Sequence, residues 1–339
     1  MIPTNWKAGD WVEILGAPEI ARTLDPAGTL DGLPFMPEMA PFCGRRCQVL
    51  RLAEKACIEY PGGGYKLRRF RHDDVLILDL PRCDGRHHEG CGRACVFFWK
   101  TAWLRPAASP AVPAPAAPAP AAPDSVALQS PDAAWVESLR TTVAPGHYFC
   151  QSTEMARATE PLSRPGIFRQ CVAVVRSGSR SPAEMAGLIL APLWRKATRR
   201  FPRRKLAGTL RRTPTAELNL QPGEWVRIRS AEQIAQTLDA NGKNRGLLCD
   251  HGMCQYSGGR YRVRNRLDRM IAEPTGQMRQ VQNTVILEGL QCLCWNVVGG
   301  CPRADYMYWR EIWLERAEPD LVQISPAPAS ESEPVPLSR

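Results

Sequence analysis

A chain of 339 residues, 44% of them hydrophobic, is long enough for two or three domains and can bury a sizeable core. Its net charge of +10 favours an anionic partner, whether nucleic acid, an anionic membrane surface or an acidic protein. The longest apolar run, "MAGLILAPLW" at 185–194, falls far short of the ~20 residues of a spanning helix, and "MIPTNWKAGDWVEI" lacks the basic start and apolar stretch of a signal peptide. The expected compartment is the cytoplasm, where the 13 cysteines act as thiols, metal ligands or catalytic groups rather than disulfides.

In chain order, "DWVEIL" alternates apolar and polar residues as a half-buried strand does, and "PEIARTLDPAG" reads as a short helical turn ended by glycine. "PGGGYK" (61–66) reads as a hairpin turn, "VLILDL" (75–80) as a strand, and "FFWKTAWL" (97–104) as a final strand carrying two tryptophans. The pattern then repeats. Residues 9–33 laid over 223–247 at a constant offset of 214 match at 13 of 25 positions, including Trp11, Val12, Ile14, Thr23, Leu24 and Asp25. "MYWREIWL" (307–314) repeats "FFWKTAWL" at offset 210 and keeps both tryptophans, with Lys100 replaced by Arg310. Within the second copy "YRVRNRLDRMI" is expected to be one alternating strand, with Tyr261, Val263, Leu267 and Ile271 on one side, and "TVILEGL" (284–290) the next.

Between the copies, the Pro/Ala-rich stretch 105–131 predicts an extended spacer. Ser181, Pro182 and Glu184 are an N-cap, a first-turn proline and a capping-box acid, and predict a helix of about 18 residues. That helix leads into nine basic residues between Arg195 and Arg212 without an acid. Arg195, Lys196, Arg199, Arg200, Arg203, Arg204 and Lys205 are the candidate anion-binding residues. The expected architecture is mainly β with a helical middle segment: two tandem small SH3-like β-barrel modules, zinc-stabilised. Its boundaries are 1–104 for the first Cys-rich module, 105–131 for the linker, 132–222 for the middle segment, 223–318 for the second module and 319–339 for a disordered tail.

The duplication tests which cysteines matter. Cys83 aligns with Cys292 and Cys91 with Cys301, and a shared chemical job explains retention where packing alone would let a cysteine drift. Zinc takes four thiolate or imidazole ligands. Loop 83–95 has C-x7-C-x3-C spacing with His88 inside it, so Cys83, Cys91, His88 and Cys95 are candidates, with Cys43 or Cys57 completing the set. The best set is Cys43, Cys57, Cys83 and Cys91, with His88 and Cys95 in reserve. Cys47 and Cys171 read as small buried hydrophobes. The second copy offers Cys249, Cys254, Cys292, Cys294 and Cys301, with His251 in "CDHGMC"; Ser257 and Ile271 stand where the first copy has Cys43 and Cys57. A second site is therefore either rebuilt on Cys249 and Cys254, with Cys292 and Cys301, or partly lost. An iron–sulfur group ranks below zinc, because tight C-x2-C pairs are missing.

"GDWVEI", "FCGRR", "RCDG", "CVFFWK" and "YWREIWLER" together resemble a recurrent group of bacterial proteins. The likeness covers both copies and "FCQSTEM" in the middle; it implies no reaction, and Ser257 and Thr284 stand where the group carries cysteine. No nucleotide-phosphate loop, nucleophile elbow or HExxH motif occurs. The expected function is a non-catalytic zinc-binding accessory or scaffold protein docking an anionic partner. The alternative is a metal- or thiol-dependent enzyme of a biosynthetic pathway, with His87 and Glu89 as acid–base groups, or Cys150 near His147 as a nucleophile.

Overall fold

A computed structural model describes residues 6–60, 65–109, 133–162, 206–292 and 303–318, with scattered positions in 166–190. The fold is mainly β and its strands pair in antiparallel ladders. No helix among the described residues is long and apolar enough to cross a membrane. The spacer from residue 110, the basic residues 195–205, Cys294, Cys301 and the segment 319–339 lie outside the described residues. Two compact units emerge. Unit 1 holds Met1–Ser181, Arg269–Val281 and Asn296–Asp305, and unit 2 holds the remainder.

Unit 1 has a five-stranded sheet in the order Trp99–Lys100, Val75–Leu78, Arg46–Leu52, Trp11–Ile14, Leu104–Pro106. Alternation in the first strand puts Val12 and Ile14 in the core, both fully buried. Unit 2 has a five-stranded sheet in the order Tyr306–Arg310, Thr284–Gln291, Arg260–Arg266, Trp225–Ile228, Leu314–Arg316. Registers agree as well: Trp11 lies opposite Gln48 and Trp225 opposite Arg262, while Val12 lies opposite Pro106 and Val226 opposite Arg316.

The tryptophans close both cores. Trp99, Trp103, Trp309 and Trp313 are fully buried. A buried indole N–H needs an acceptor; Trp103 Nε1 donates to Thr23 Oγ1 at 3.0 Å and Trp313 Nε1 to Thr237 Oγ1 at 3.0 Å. The second tryptophan of each pair sits in a 3-10 turn, Thr101–Trp103 or Glu311–Trp313, not in a continuous strand. The basic residue before it is satisfied differently in each unit. Buried Lys100 pairs with Asp31 at 2.8 Å and Asp74 at 3.0 Å. At the place of Asp31 stands Arg245, so Arg310 turns to oxygens instead: the Gln282 carbonyl at 2.7 Å, Thr284 Oγ1 at 2.9 Å and the Arg245 carbonyl at 2.9 Å.

The run expected as one strand over 261–271 is two. Arg260–Arg266 belongs to the unit 2 sheet, while Arg269–Ala272 pairs with Gln277–Gln280 in unit 1. Val263, Leu267 and Ile271 are all buried, so the alternation was real but served two cores. Middle-segment strands also join unit 1. His147–Tyr148 pairs with Gln277–Gln280, and Thr159–Pro161 pairs with Tyr65–Phe70, which pairs with Lys55–Glu59. The strands flanking "PGGG" therefore form the expected hairpin, while residues 61–64 lie outside the described ones. The helix expected after Ser181 is present at 182–187 and 189–190.

Candidate functional site

Loop 83–95 is built as a knuckle. Cys83 N–H donates to the Cys95 carbonyl at 2.9 Å and closes its base. His88 and Gly90 amides both return to the Gly85 carbonyl, at 2.9 and 3.0 Å, and Cys91 N–H donates to the His88 carbonyl at 3.1 Å. Gly85 has φ +67°, and a Cβ there would lie 2.2 Å from the Cys91 carbonyl oxygen, so only glycine fits.

Above this knuckle lies a recess with about 450 Å³ of empty space, part of it open to solvent. Four thiols line it: Cys83, Cys91 and Cys95 from the loop, and Cys150 from the segment after His147–Tyr148. Cys91 Sγ accepts the Ile271 amide at 3.4 Å, and Cys95 Sγ lies 3.5 Å from Ser152 Oγ. Burial pushes the Cys150 thiol up to about 12, and pushes Cys83 and Cys95 up as well. Without a cation Cys83, Cys95 and Cys150 are therefore held as thiols. Among the described residues, no three His, Cys, Asp or Glu side chains stand close enough together to enclose a metal ion as they are. The donor set nonetheless suits a soft, thiophilic cation, and Cys91 already receives the amide hydrogen bond that a metal-bound thiolate keeps.

His88 lines the recess but is not a free ligand. Its Nδ1 lies 2.6 Å from Glu38 Oε1 and its Nε2 lies 3.0 Å from the Phe149 carbonyl. The Phe149 carbonyl can only accept, so Nε2 carries its proton, and with Nδ1 held against Glu38 the ring has no free nitrogen for a cation and is favoured in its charged form. Burial works against that charge, but the Glu38 hydrogen bond and charge, helped by the Phe149 carbonyl, outweigh it and raise the pKa above 6.5. The pair is 2% exposed on each side. A histidine pKa raised by folding adds stability below its ordinary value and loses it as pH rises through the folded value. Unit 1 is therefore expected to weaken from about pH 6.5 upward, and His88→Gln to flatten that dependence. Urea midpoints across pH 5–9 check this, and an unchanged slope in His88→Gln would refute it.

A buried charge cluster braces the recess. Glu273 receives Arg303 at 3.0 and 2.8 Å, lies 3.6 Å from Arg93, and takes the Glu59 amide at 3.2 Å. Arg303 also meets Asp305 at 3.0 Å. The two arginines are related: Arg93 donates to the Ile271 carbonyl at 3.1 Å, and Arg303, 210 positions later, donates at 2.7 Å to the Cys57 carbonyl, 214 positions before Ile271. Each copy's loop thus holds a strand that the sequence assigns to the other copy. Ile271 consequently stands in the recess where the repeat pattern has cysteine.

The other candidates lie apart from this recess. Cys43 ends the 3-10 turn Pro37–Phe42 in the hydrophobic core, where burial pushes its thiol up to about 12. Cys57 offers its carbonyl to Arg303 and does not line the recess. Cys47 is buried in the same core, as expected for packing. His87 and Glu89 are exposed, and burial together with the nearby Glu89 carboxylate pushes the Tyr148 phenol up to about 12. His147 faces the Pro145 carbonyl and Gln277, not Cys150. In unit 2 Cys249 is buried and Cys254 half-buried, while Cys292 is exposed just after Thr284–Gln291. In sequence Cys150 stands apart as a buried or ligating cysteine outside the named ligand set, and Arg93, Arg303 and Glu273 carry no mark of a role. Recurrence of "RAC" (93–95) as "RAD" (303–305) was the available signal for the arginines. Comparison with protein-family models, with curated proteins and with solved structures returned no match.

Proposed function

We propose that this chain is a non-catalytic zinc-binding accessory protein, built from two related SH3-like modules, that docks an anionic partner. The observation carrying this reading is the meeting of four thiols, from two separate segments, on one recess. A zinc ion held by Cys83, Cys91, Cys95 and Cys150 would have four thiolates and no open position, which is the pattern of structural rather than catalytic sites. Ligation requires the four sulfurs to lose their protons and close in, so zinc would tie the segment of Cys150 to the knuckle. Arg93 and Arg303 stand where they can offset the resulting negative charge, since both act electrostatically on Cys95. His88 takes no part as a base, because Nε2 is committed to the Phe149 carbonyl. Matching strand orders and registers, together with the exchanged arginine contacts, support the duplication.

Elemental analysis of the purified full chain tests the metal. One zinc per chain is expected, lost in Cys91→Ser and Cys150→Ser and kept in Cys43→Ser and Cys57→Ser. A folded, metal-free wild type would overturn the reading, and a brown protein containing iron would put a cluster in zinc's place.

The partner is assigned to the basic run, Arg195 to Arg212. Binding to mixed DNA or RNA is expected to be weak and independent of sequence, and to fall with salt at a slope near −0.9 per neutralised phosphate on duplex. Gel shifts and sedimentation with anionic vesicles, at low and moderate salt, check this. Retention only by vesicles makes the partner a membrane surface; no retention at low salt removes the docking role.

A further inference from the structure

The two copies treat one position in opposite ways. In unit 1 the buried ammonium of Lys100, 2% exposed, meets two carboxylates, Asp31 at 2.8 Å and Asp74 at 3.0 Å. In unit 2 its counterpart is Arg310, also sealed, at 9% exposure. The ladders fix the correspondence: Val75 lies opposite Lys100, and Thr284 opposite Arg310. The Thr101 amide donates to the Asp74 carbonyl and the Glu311 amide to the Asn283 carbonyl, both at 2.8 Å, so Asn283 stands in the place of Asp74. Arg245 stands in the place of Asp31, 214 positions on, and keeps its left-handed backbone, φ +45° against +53°. Both acids are thus gone, and one has become a cation. Arg310 is left with neutral acceptors: the Gln282 and Arg245 carbonyls and Thr284 Oγ1. Its buried Nε–H meets no acceptor. Among the described residues no carboxylate pairs with Arg310 or Arg245. Glu311, next in the chain, is taken up by the Leu218, Asn219 and Leu220 amides and by Arg266. A sealed cation without a counter-charge is destabilising, and here a second arginine touches it through a 2.9 Å hydrogen bond.

We propose that Arg245 and Arg310 form a binding site for a dianionic phosphate group. The charges match. Lys100 receives two carboxylates, and a phosphate group at neutral pH brings nearly the same charge, about −1.5 to −2. Guanidinium groups suit it, since their planar N–H forks fit an oxyanion in a way that a lysine ammonium does not. Hydroxyls stand beside them. Arg245 N–H donates to Thr213 Oγ1 at 2.9 Å, and Asn283 Nδ2 donates to Thr215 Oγ1 at 3.0 Å. Each hydroxyl accepts there and keeps its own proton to donate. Arg245 is exposed, so the ligand enters from solvent over its side chain. Burial, together with the charge of Arg245, pushes the Arg310 guanidinium down from its ordinary value, as befits a cation without its anion. The site needs neither the zinc ion nor the basic run between Arg195 and Arg212.

Isothermal titration of the full chain with sodium phosphate, at constant ionic strength, tests the site. Wild type is expected to bind phosphate saturably. Arg245→Asp restores the acid of unit 1 on a backbone that suits it, and is expected to bind phosphate at least about ten-fold more weakly. In phosphate-free buffer its urea midpoint is expected to lie above that of wild type, because Arg310 has gained a carboxylate. Arg245→Asn, which also tolerates the left-handed backbone, should weaken binding without raising the midpoint. Adenosine monophosphate is the second ligand. Tighter binding than inorganic phosphate makes the source a nucleotide, equal binding makes it a simple phosphate, and either result upholds the site. A wild type that binds no phosphate overturns the proposal. Undiminished binding by Arg245→Asp also overturns it, by placing the phosphate on the basic run. An Arg245→Asp midpoint no higher than wild type does so too, by showing that Arg310 lacks no charge.

Discussion

Cys91→Ser is expected to unfold unit 1, and Cys83→Ser to do the same. A structural zinc ion contributes an apparent binding free energy of roughly 10 kcal/mol or more, comparable to the whole stability of a domain at about 5–15 kcal/mol. Cys91 is also the sulfur that receives the Ile271 amide, so its loss weakens one tie of the knuckle to the strand Arg269–Ala272, beside the Gly92 amide on the Arg269 carbonyl at 2.9 Å. Cys47→Ser is the control. It buries a hydroxyl in an apolar core without touching the recess, at a cost of about 1–3 kcal/mol. Circular dichroism and urea unfolding of the three variants, with and without a zinc chelator, read the difference. A Cys91→Ser protein that melts cooperatively at the wild-type midpoint would refute the ligand assignment. Chelator should also bring wild type to the level of the Cys91 variant.

Glu273→Ala is expected to be the most damaging change outside the thiols. Its carboxylate is 3% exposed and is shared by Arg303, by Arg93 and by the Glu59 amide. Truncation takes the carboxylate away from buried Arg93 and weakens the hold on Arg303, whose remaining counter-charge is Asp305, with the Cys57 carbonyl as acceptor. Breaking a buried pair from one side costs about 3–5 kcal/mol, because the stranded charge is not rehydrated. Glu273→Gln keeps the shape and an acceptor oxygen but removes the charge, and should fall between wild type and the alanine variant. Urea midpoints at neutral pH rank the three. If Glu273→Ala matched wild type, the cluster would be hydrated rather than sealed, and the support it gives the recess would go with it.

How much of this was legible in the chain divides along physical lines. Short-range periodicity dictates which face of a strand meets a core, and it was read correctly from residues such as Val12, Ile14, Val226 and Ile228. The short helical turn of "PEIARTLDPAG" was equally local, and it forms at Ala17–Ala21. The duplication was plain because matched residues have matched jobs, as Thr23 and Thr237 do beneath their tryptophans. Cysteine spacing in loop 83–95 likewise announced three of the four sulfurs that line the recess.

Tertiary structure decided the rest. Alternation from Tyr261 to Ile271 has no term for which core a strand enters, so one run became two strands in two units. His88 looks like a ligand beside cysteines; only Glu38 and the Phe149 carbonyl, 50 and 61 residues away, take up both of its ring nitrogens. Cys150 joins the recess because His147–Tyr148 pairs with a hairpin some 130 residues later. Arg93 and Arg303 look like two more solvated charges on a basic chain. Their burial depends on Glu273, and the desolvation cost that makes such a pairing obligatory is set by the surrounding fold, not by neighbours in sequence.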